Sequence, residues 1–269
     1  MSKDLIIGNF EVIHKGHKML FDKTTNPMVL TFKNIPRKTG SMLFSFEQKI
    51  NNIKKLTNNK IYILDLKKQN KTADEFIKYL KKIIKPNKII VGSDFKFGSD
   101  FKDIKYLKKH FNVVSVNKNK KYSTTQIKQK LLKTKVTCAQ NDLFIKFNLE
   151  GTVVKCKQLG RKLGYHTANI YRDKELMHLP EGVYYGDCCL TINNKTKHYK
   201  ASGTIRNDIN NKQLIEIHII NHLLPEFYGS HISFTPTKYI NKIQKAKSLD
   251  DLKKIIKNNF IKIKKLTNK

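Results

Sequence analysis

Two stretches of the sequence place glycines beside histidines and other polar side chains, each directly after a short apolar run. The first stretch is Gly8 to His17 and the second is Gly160 to Asn169, and the runs before them are Leu5 to Ile7 and Val153 to Val154. Each run is typical of a strand, so each stretch lies where a backbone turn can approach a phosphate closely. Two sites of this kind predict two reactions.

The first stretch has side chains suited to nucleotidyl transfer. His14 and His17 flank Gly16 at a spacing that can put both rings on one side of a strand-to-helix turn. Imidazoles, exposed N–H groups and the helix dipole suit the negative charge that develops when the α-phosphate of a nucleotide is attacked and pyrophosphate leaves. We predict that His14 and His17 are catalytic, with phosphate contacts nearby at Gly8, Asn9, Phe10 and Gly16. Two ordinary surface histidines are the competing interpretation.

The second stretch suits a metal-bound nucleotide. Thr167 and Asn169 lie two residues apart on an extended segment and therefore face the same side. A hydroxyl and an amide carbonyl there suit a hard Mg²⁺ ion that ATP phosphates also hold. In the later run Leu214 to Ile220, Glu216 shares a face with His218, and its carboxylate could accept the proton of an attacking hydroxyl. The competing interpretations are a β-hairpin with polar turn residues and a solvent-facing Glu216.

The elements that must position these residues alternate in the first half of the chain. Alternating strand-like and helix-like segments predict a parallel sheet wrapped by crossover helices, with ligands at the carboxyl ends of the strands. The expected strands are Leu5–Ile7, Met28–Phe32, Ile61–Leu64, Lys88–Val91 and Asn112–Val116. The expected helices lie near Lys18 and over Phe44–Leu56, Ala73–Ile84, Ile104–His110 and Thr125–Lys133.

The second half has short strands separated by turn residues, which predicts an antiparallel barrel or sandwich. The expected strands are Phe144–Leu149, Gly151–Lys155, Gly182–Thr191, Tyr199–Thr204, Gln213–Ile220 and His231–Thr235. Ser248 can cap a final helix that extends to Lys257. The segment Lys133 to Asp142 lacks strong periodicity, so we expect domains over 1–135 and 142–269.

The composition limits the function classes. The chain has 54 Lys and Arg against 21 Asp and Glu, a net charge of +33, which attracts polyanions and phosphorylated small molecules alike. The charge is nearly all lysine and is dispersed, whereas nucleic-acid modules more often cluster arginines and aromatic residues. The four cysteines lack the C-x-x-C spacing of a metal or redox site. No apolar run approaches the ~20 residues that span a bilayer and no signal-peptide pattern is present, so we expect a cytoplasmic protein.

The sequence resembles the bacterial bifunctional riboflavin kinase and FAD synthetase family over nearly its whole length. Besides Gly8 to His17, the motifs in the first half are Val29–Phe32, Ser45–Ile50, Val91–Gly98 and Ser123–Lys128. Those in the second half are Gly151–Ile170, Gly182–Tyr184, Ala201–Arg206, Phe227–Gly229 and Ser248–Leu252. The resemblance implies an α/β nucleotidyltransferase domain of the H-x-G-H type, built on a parallel sheet. An antiparallel β-barrel riboflavin kinase domain with a C-terminal helix would follow it.

The resemblance also implies roles for individual residues. Glu216 would activate the riboflavin 5′-hydroxyl, Thr167 and Asn169 would bind Mg²⁺ with ATP, and the histidines would contact ATP phosphates. Further ATP or phosphate contacts are implied at Ser123, Thr124, Thr125, Gly160 and Arg161, and flavin or nucleotide contacts at Asp94, Phe95 and Arg206. The substrates would be riboflavin, FMN and ATP.

Four departures from the family pattern fall inside motifs. The family usually has Asp-Gly at Glu11-Val12, His-Pro at Ile35-Pro36, Arg at Gln126 and Pro at His166. Loss of an arginine removes a bidentate phosphate donor that glutamine cannot replace. The change at His166 only restores a backbone N–H, and Thr167 and Asn169 remain.

The leading hypothesis is an enzyme that phosphorylates riboflavin to FMN and adenylylates FMN to FAD. The first alternative is a riboflavin kinase with a degenerate adenylyltransferase domain, because three departures lie in that half. The second alternative, prompted by the net charge, is a flavin-responsive nucleic-acid-binding protein.

Overall fold

A computed structural model describes residues 3–36, 40–117, 119, 121–155, 167–222 and 227–267. The chain divides into two compact units. The first consists of residues 1–126 with 142–145, and the second of residues 127–141 with 146–269.

The first unit is built on a five-stranded parallel sheet with the order β3-β2-β1-β4-β5. Its strands are β1 (Asp4–Ile7), β2 (Met28–Lys33), β3 (Ile61–Asp65), β4 (Lys88–Gly92) and β5 (Val113–Val116). The central strands are near-continuous apolar runs because a parallel sheet is covered by helices on both faces. β2 and β3 lie on one edge of β1, and β4 and β5 lie on its other edge, so the strand order reverses between β1 and β4.

The helices described with this sheet are α1 (Lys15–Phe21), α2 (Phe46–Lys54), α3 (Ala73–Tyr79), α4 (Ile104–Lys108) and α5 (Thr124–Leu132). Local sequence sets where they begin. Ser45 and Gln48 form a capping box at α2, and Thr72 and Glu75 form another at α3, so orphan backbone N–H groups are satisfied at both helices. A π-helical turn, Leu80–Ile84, extends α3.

The sheet separates two apolar clusters. Leu5 and Ile7 of β1 belong to one cluster, whereas Ile6, between them, belongs to the other. This alternation follows from the two-residue period of a strand. Burial on both faces fixes the register of β1, and with it the position of the turn that follows Ile7.

The second unit contains a six-stranded antiparallel sheet with the order β6-β11-β8-β9-β10-β7. Its strands are β6 (Leu149–Thr152), β7 (Thr167–Tyr171), β8 (Gly182–Ile192), β9 (Lys195–Asn207), β10 (Gln213–Ile219) and β11 (His231–Asn241). The two end strands approach each other, because Val154 forms a bridge with Asn169. The sheet is thus a nearly closed barrel. The helices are α6 (Val136–Asp142) and α7 (Leu249–Thr267).

The predicted fold class, a parallel α/β domain followed by an antiparallel barrel with a C-terminal helix, is confirmed. The strand predicted over Phe144–Leu149 is wrong: β6 starts at Leu149, and the N–H groups of Phe144 and Ile145 donate to the carbonyl of Ile13. The segment without periodicity contains α6, and α7 extends ten residues beyond Lys257 because apolar positions recur as far as Ile263. Of the described helices, none has the length and apolar character needed to cross a membrane.

Candidate active sites

The first candidate site is a cavity of about 270 Å³ at the carboxyl ends of β1, β4 and β5. This is the point where the strand order reverses, which is the usual ligand crevice of an open parallel sheet. The cavity brings together these predicted residues: Gly8, Phe10, His14, Gly16, His17, Asp94, Phe95, Ser123 and Thr124. It also includes Asn117, Asn119 and Tyr122, which follow β5 in a segment without a motif.

The two histidines of this cavity are stacked and held by the backbone. Their ring centroids lie 3.7 Å apart with an interplanar angle of 14°. His14 caps α1, where its Nδ1 accepts a hydrogen bond from the His17 backbone N–H at 3.2 Å, so a neutral His14 carries its proton on Nε2. The His17 Nδ1 lies 2.8 Å from the carbonyl of Val12 and must donate to it, so a second proton on this ring belongs to Nε2. The arrangement fixes one tautomer for each ring.

Phe10 shapes the turn between β1 and α1. It adopts a left-handed backbone conformation with φ of 50°, which is uncommon for a bulky residue. Its fully buried ring covers Gly8, where a Cβ atom would lie 2.6 Å from Cζ, and it meets the His17 ring edge to face at 5.0 Å. Gly8 is therefore required by close packing.

Two predicted residues of the first site do not line the cavity. Asn9 is tied to the scaffold: its Oδ1 accepts from Lys49 Nζ at 3.1 Å, and its carbonyl accepts from Thr31 Oγ1 at 2.8 Å. Thr125 is exposed in the first turn of α5. The ammonium group of buried Lys49 also donates to the Phe32 carbonyl at 2.7 Å. Lys49 therefore links α2 to β2 and to the turn that follows β1. Lys49 lies within the Ser45–Ile50 motif, but no local pattern in that motif indicates this role.

The departures in the first half occupy different environments. Glu11 and Val12 are buried, and Glu11 Oε1 accepts from the Leu43 N–H at 3.3 Å. Ile35 is half-buried and Gln126 is exposed. The backbone N–H of Gln126 donates to Ser123 Oγ at 3.2 Å, so Gln126 stands beside the α5 terminus that borders the cavity.

The second candidate site lies on adjacent strands of the barrel. In the antiparallel register of β7 and β10, Asn169 is opposite Glu216 and Thr167 is opposite His218. Residues in direct register share a face of the sheet, so these four side chains form one polar group. On the other face of β10, Ile215, Ile217 and Ile219 are buried, as their alternation predicts.

Asn169 carries the clearest mark of a ligand site. The residue is 5% exposed, and its Oδ1 is buried without a hydrogen-bond partner among the described residues. A buried carbonyl oxygen without a partner is costly, and a cation held by oxygen ligands would satisfy it. The donor set of Asn169 and Thr167 therefore fits a hard divalent ion. In the described part of the chain, no group of three or more His, Cys, Asp or Glu side chains could hold a metal.

Arg206 and Glu216 form an ion pair within this polar group, with 2.9 Å between Nη2 and Oε1. Arg206 of β9 lies opposite Leu214 of β10. Leu214 is two residues before Glu216, so Arg206 and Glu216 are on the same face of the sheet. Gly160 and Arg161 lie outside the described residues, so their assignments stay predictions.

A larger cavity, of about 880 Å³, lies between α7 and strands β8 to β10. His218 connects it to the polar group, because His218 lines the cavity and its ring meets Phe260 of α7 edge to face at 5.2 Å. Asp187 and Lys200 pair on the opposite wall at 2.5 Å, and this hydrogen bond raises the pKa of Lys200. The pairing offsets opposite charges in that wall.

Each unit contains one candidate site, a cavity at the carboxyl ends of parallel strands in the first unit and a polar group on the barrel in the second, and the family comparisons identify the chain as a transferase. The riboflavin kinase family model matches residues 143–267, and the FAD synthetase family model matches residues 2–131. A bifunctional riboflavin kinase/FMN adenylyltransferase of Buchnera aphidicola subsp. Schizaphis graminum is 31% identical, covering 97% of this chain and 93% of that protein. The chain belongs to the bifunctional riboflavin kinase/FMN adenylyltransferase family.

Two further comparisons extend this result. The trifunctional protein RibF/MnmA of Mycoplasmoides gallisepticum is 36% identical over 95% of this chain, which spans 39% of that protein's length. The crystal structure of a macrolide-efflux protein from Streptococcus pneumoniae superimposes with a TM-score of 0.82 at 25% identity and covers 96% of this chain and 92% of that one. The arrangement of an α/β unit followed by a barrel is thus found in a solved structure.

Proposed function

We propose that the barrel transfers the γ-phosphoryl group of ATP to the 5′-hydroxyl of riboflavin, and that the parallel-sheet domain transfers the adenylyl group of a second ATP to FMN. The observation that carries the first assignment is the buried, unpartnered Asn169 Oδ1 opposite Glu216. We assign the domains to residues 1–135 and 142–269 and the reactions to the cytoplasm.

In the kinase site, Thr167 and Asn169 would hold Mg²⁺ together with the ATP phosphates. The ion, when bound, neutralises charge on the transferred phosphoryl group. Glu216 accepts the proton of the 5′-hydroxyl as its oxygen bonds to the γ-phosphorus and the bond to ADP breaks. We place the flavin ring in the cavity beside Phe260, since that cavity begins at His218, next to Glu216 on the same strand face.

In the adenylyltransferase site, the FMN phosphate is already an anion and needs no base. Its oxygen attacks the α-phosphorus of ATP, and pyrophosphate leaves. His14 and His17 donate hydrogen bonds to the phosphates, and the α5 terminus at Ser123 and Thr124 adds N–H groups and a favourable dipole. Asp94 and Phe95 face the same cavity and are assigned to the nucleotide or flavin.

Separate incubations of the protein with riboflavin or with FMN, each with ATP and Mg²⁺, test both assignments when the flavins are resolved by chromatography. We expect FAD from both mixtures. Glu216→Gln should abolish FMN formation and leave FMN-to-FAD conversion intact, and His17→Ala should do the reverse. Matching losses in both variants would reject the two-site assignment. FMN as the sole product from the parent would favour the kinase-only alternative, in which Gln126 has weakened the first site.

A further inference from the structure

The turn that follows β1 has a strained backbone and is held in place by β2. Phe10 adopts a left-handed conformation with φ of 50°, and a bulky residue keeps such a conformation only where the surrounding contacts over-determine it. The Gly8 N–H donates to the Leu30 carbonyl at 3.1 Å, and the Asn9 carbonyl accepts from Thr31 Oγ1 at 2.8 Å. The backbone is thus fixed at the two residues before Phe10.

Lys49 of α2 also fixes the side chain of Asn9. Lys49 is 4% exposed, and its Nζ donates to Asn9 Oδ1 at 3.1 Å and to the Phe32 carbonyl at 2.7 Å. The ammonium group lies 5.6 Å from the centre of the Phe46 ring. A buried ammonium group costs free energy unless it is hydrogen-bonded, and an apolar side chain of similar length would fill the same space without that cost. Lys49 therefore contributes directed hydrogen bonds that an apolar side chain could not.

The same turn carries groups of the first cavity. Phe10 lines the cavity and meets the His17 ring edge to face at 5.0 Å, and His17 is stacked on His14. Lys49 is not among the described residues that line this cavity, so its effect passes through Asn9. We propose that Lys49 is a positioning residue of the adenylyltransferase site: by holding Asn9, it sets the position of Phe10 and of the stacked histidines. This inference rests on the proposed adenylyltransferase function.

The first test compares the kcat of FMN adenylylation in the parent, Lys49→Met, Asn9→Ala and Lys54→Met. Methionine keeps an unbranched side chain but has no ammonium group. Lys54 is exposed on α2, so its substitution makes the same chemical change on the same helix without touching the turn. We expect Lys49→Met and Asn9→Ala each to lower kcat about tenfold, because small misplacements of catalytic groups slow a reaction strongly. Lys54→Met should match the parent, and FMN formation should be unchanged in every variant.

Two further variants separate positioning from other roles. The double variant Lys49→Met/Asn9→Ala should be about as slow as the slower single variant, because both changes break the same hydrogen bond. Independent losses of stability would multiply instead. Asn9→Asp keeps an oxygen that accepts from Lys49 and should be faster than Asn9→Ala. If Asn9 contacted phosphate directly, the order would be the opposite, because a carboxylate repels phosphate.

A second measurement does not depend on turnover. The imidazole C–H proton signals of His14 and His17 report the positions of the rings, because the two rings are stacked and Phe10 lies edge-on to one of them. Loss of each signal in His14→Ala or His17→Ala identifies it. We expect both signals to move in Lys49→Met and to stay in place in Lys54→Met. Chemical shifts of the rest of the parallel-sheet domain report whether each variant keeps the fold.

Four outcomes would overturn the inference. Unmoved histidine signals in Lys49→Met would mean that Lys49 does not set the turn, and multiplied losses in the double variant would leave it a role in stability alone. Equal effects in Lys49→Met and Lys54→Met would assign the loss to net charge, and a slower Asn9→Asp than Asn9→Ala would make Asn9 a phosphate ligand. Failure of the proposed function is distinguishable, since a parent protein that does not adenylylate FMN leaves the histidine signals to decide the role of Lys49.

Discussion

The stacked histidines of the first site limit how many protons the pair can hold. Their ring centroids are 3.7 Å apart, so two imidazolium ions would repel each other strongly. His14 can donate from Nε2 when neutral, but His17 uses Nδ1–H for the Val12 carbonyl and needs a second proton to donate from Nε2. Adenylyl transfer should therefore require one protonated ring, that of His17.

The predicted consequence is a graded loss of rate as hydrogen-bond donors are removed from His17. His17→Gln keeps one N–H donor, so it should lower the kcat of FMN adenylylation less than His17→Ala does. His110→Gln, in the same domain but outside the cavity, serves as the control. Equal losses in His17→Gln and His17→Ala would mean that a donor at this position is not sufficient.

Asn169 is the residue that we propose as a Mg²⁺ ligand, and its substitution tests that role. Replacement by alanine removes the unpartnered oxygen, and kinase kcat should fall on the order of 100-fold, equivalent to about 2.7 kcal/mol, with a higher Mg²⁺ requirement. Asn169→Asp keeps an oxygen at that position and should retain more activity than the alanine variant. Titration of the rate with Mg²⁺ measures both effects. An unchanged Mg²⁺ requirement in Asn169→Ala would contradict the assignment of this side chain.

At the scale of elements, we expect α7 to contribute to the binding of riboflavin. Phe260 forms one wall of the larger cavity and meets His218 edge to face. Phe260→Ala should raise the KM for riboflavin about tenfold and leave the KM for ATP unchanged, because an aromatic contact of about 1 kcal/mol or more is lost. Phe260→Leu, which keeps apolar volume, should be intermediate. Asn258→Ala, on an exposed position of the same helix, is the matched control; an equal rise there would point to general loosening of α7.

Elements with a strong local signal could be predicted from the sequence, and those formed by long-range packing could not. β1 and β4 are apolar runs that are buried on both faces of the sheet, and the sequence predicts their bounds to within one residue. The segment Phe144–Leu149 is also rich in apolar residues, but the N–H groups of Phe144 and Ile145 donate to the carbonyl of Ile13, and residues 142–145 belong to the first unit. The sequence of α6 has no amphipathic periodicity, so no local pattern predicts this helix.

The sites show the same division. Glycine and histidine spacing predicted residues that line the first cavity, and the alternation of β10 predicted that Glu216 shares a face with His218, because both patterns are local. Asn117 and Tyr122 line the first cavity from the loop after β5, and Phe260 lines the second from a helix distant in sequence. No short motif encodes such neighbours, because the topology of the sheets brings them together.

At the scale of the whole molecule, the net charge of +33 predicts attraction to polyanions. Lysines are dispersed along the chain, and the proposed chemistry assigns no catalytic role to them. Double-stranded DNA should therefore bind only through counterion release, with an affinity that falls about a thousandfold or more between 50 and 200 mM salt. Fluorescence anisotropy with a labelled duplex measures this dependence, and the kinase rate over the same salt range is the control. Tight binding that survives 200 mM salt and changes on addition of FMN would instead favour the flavin-responsive nucleic-acid-binding alternative.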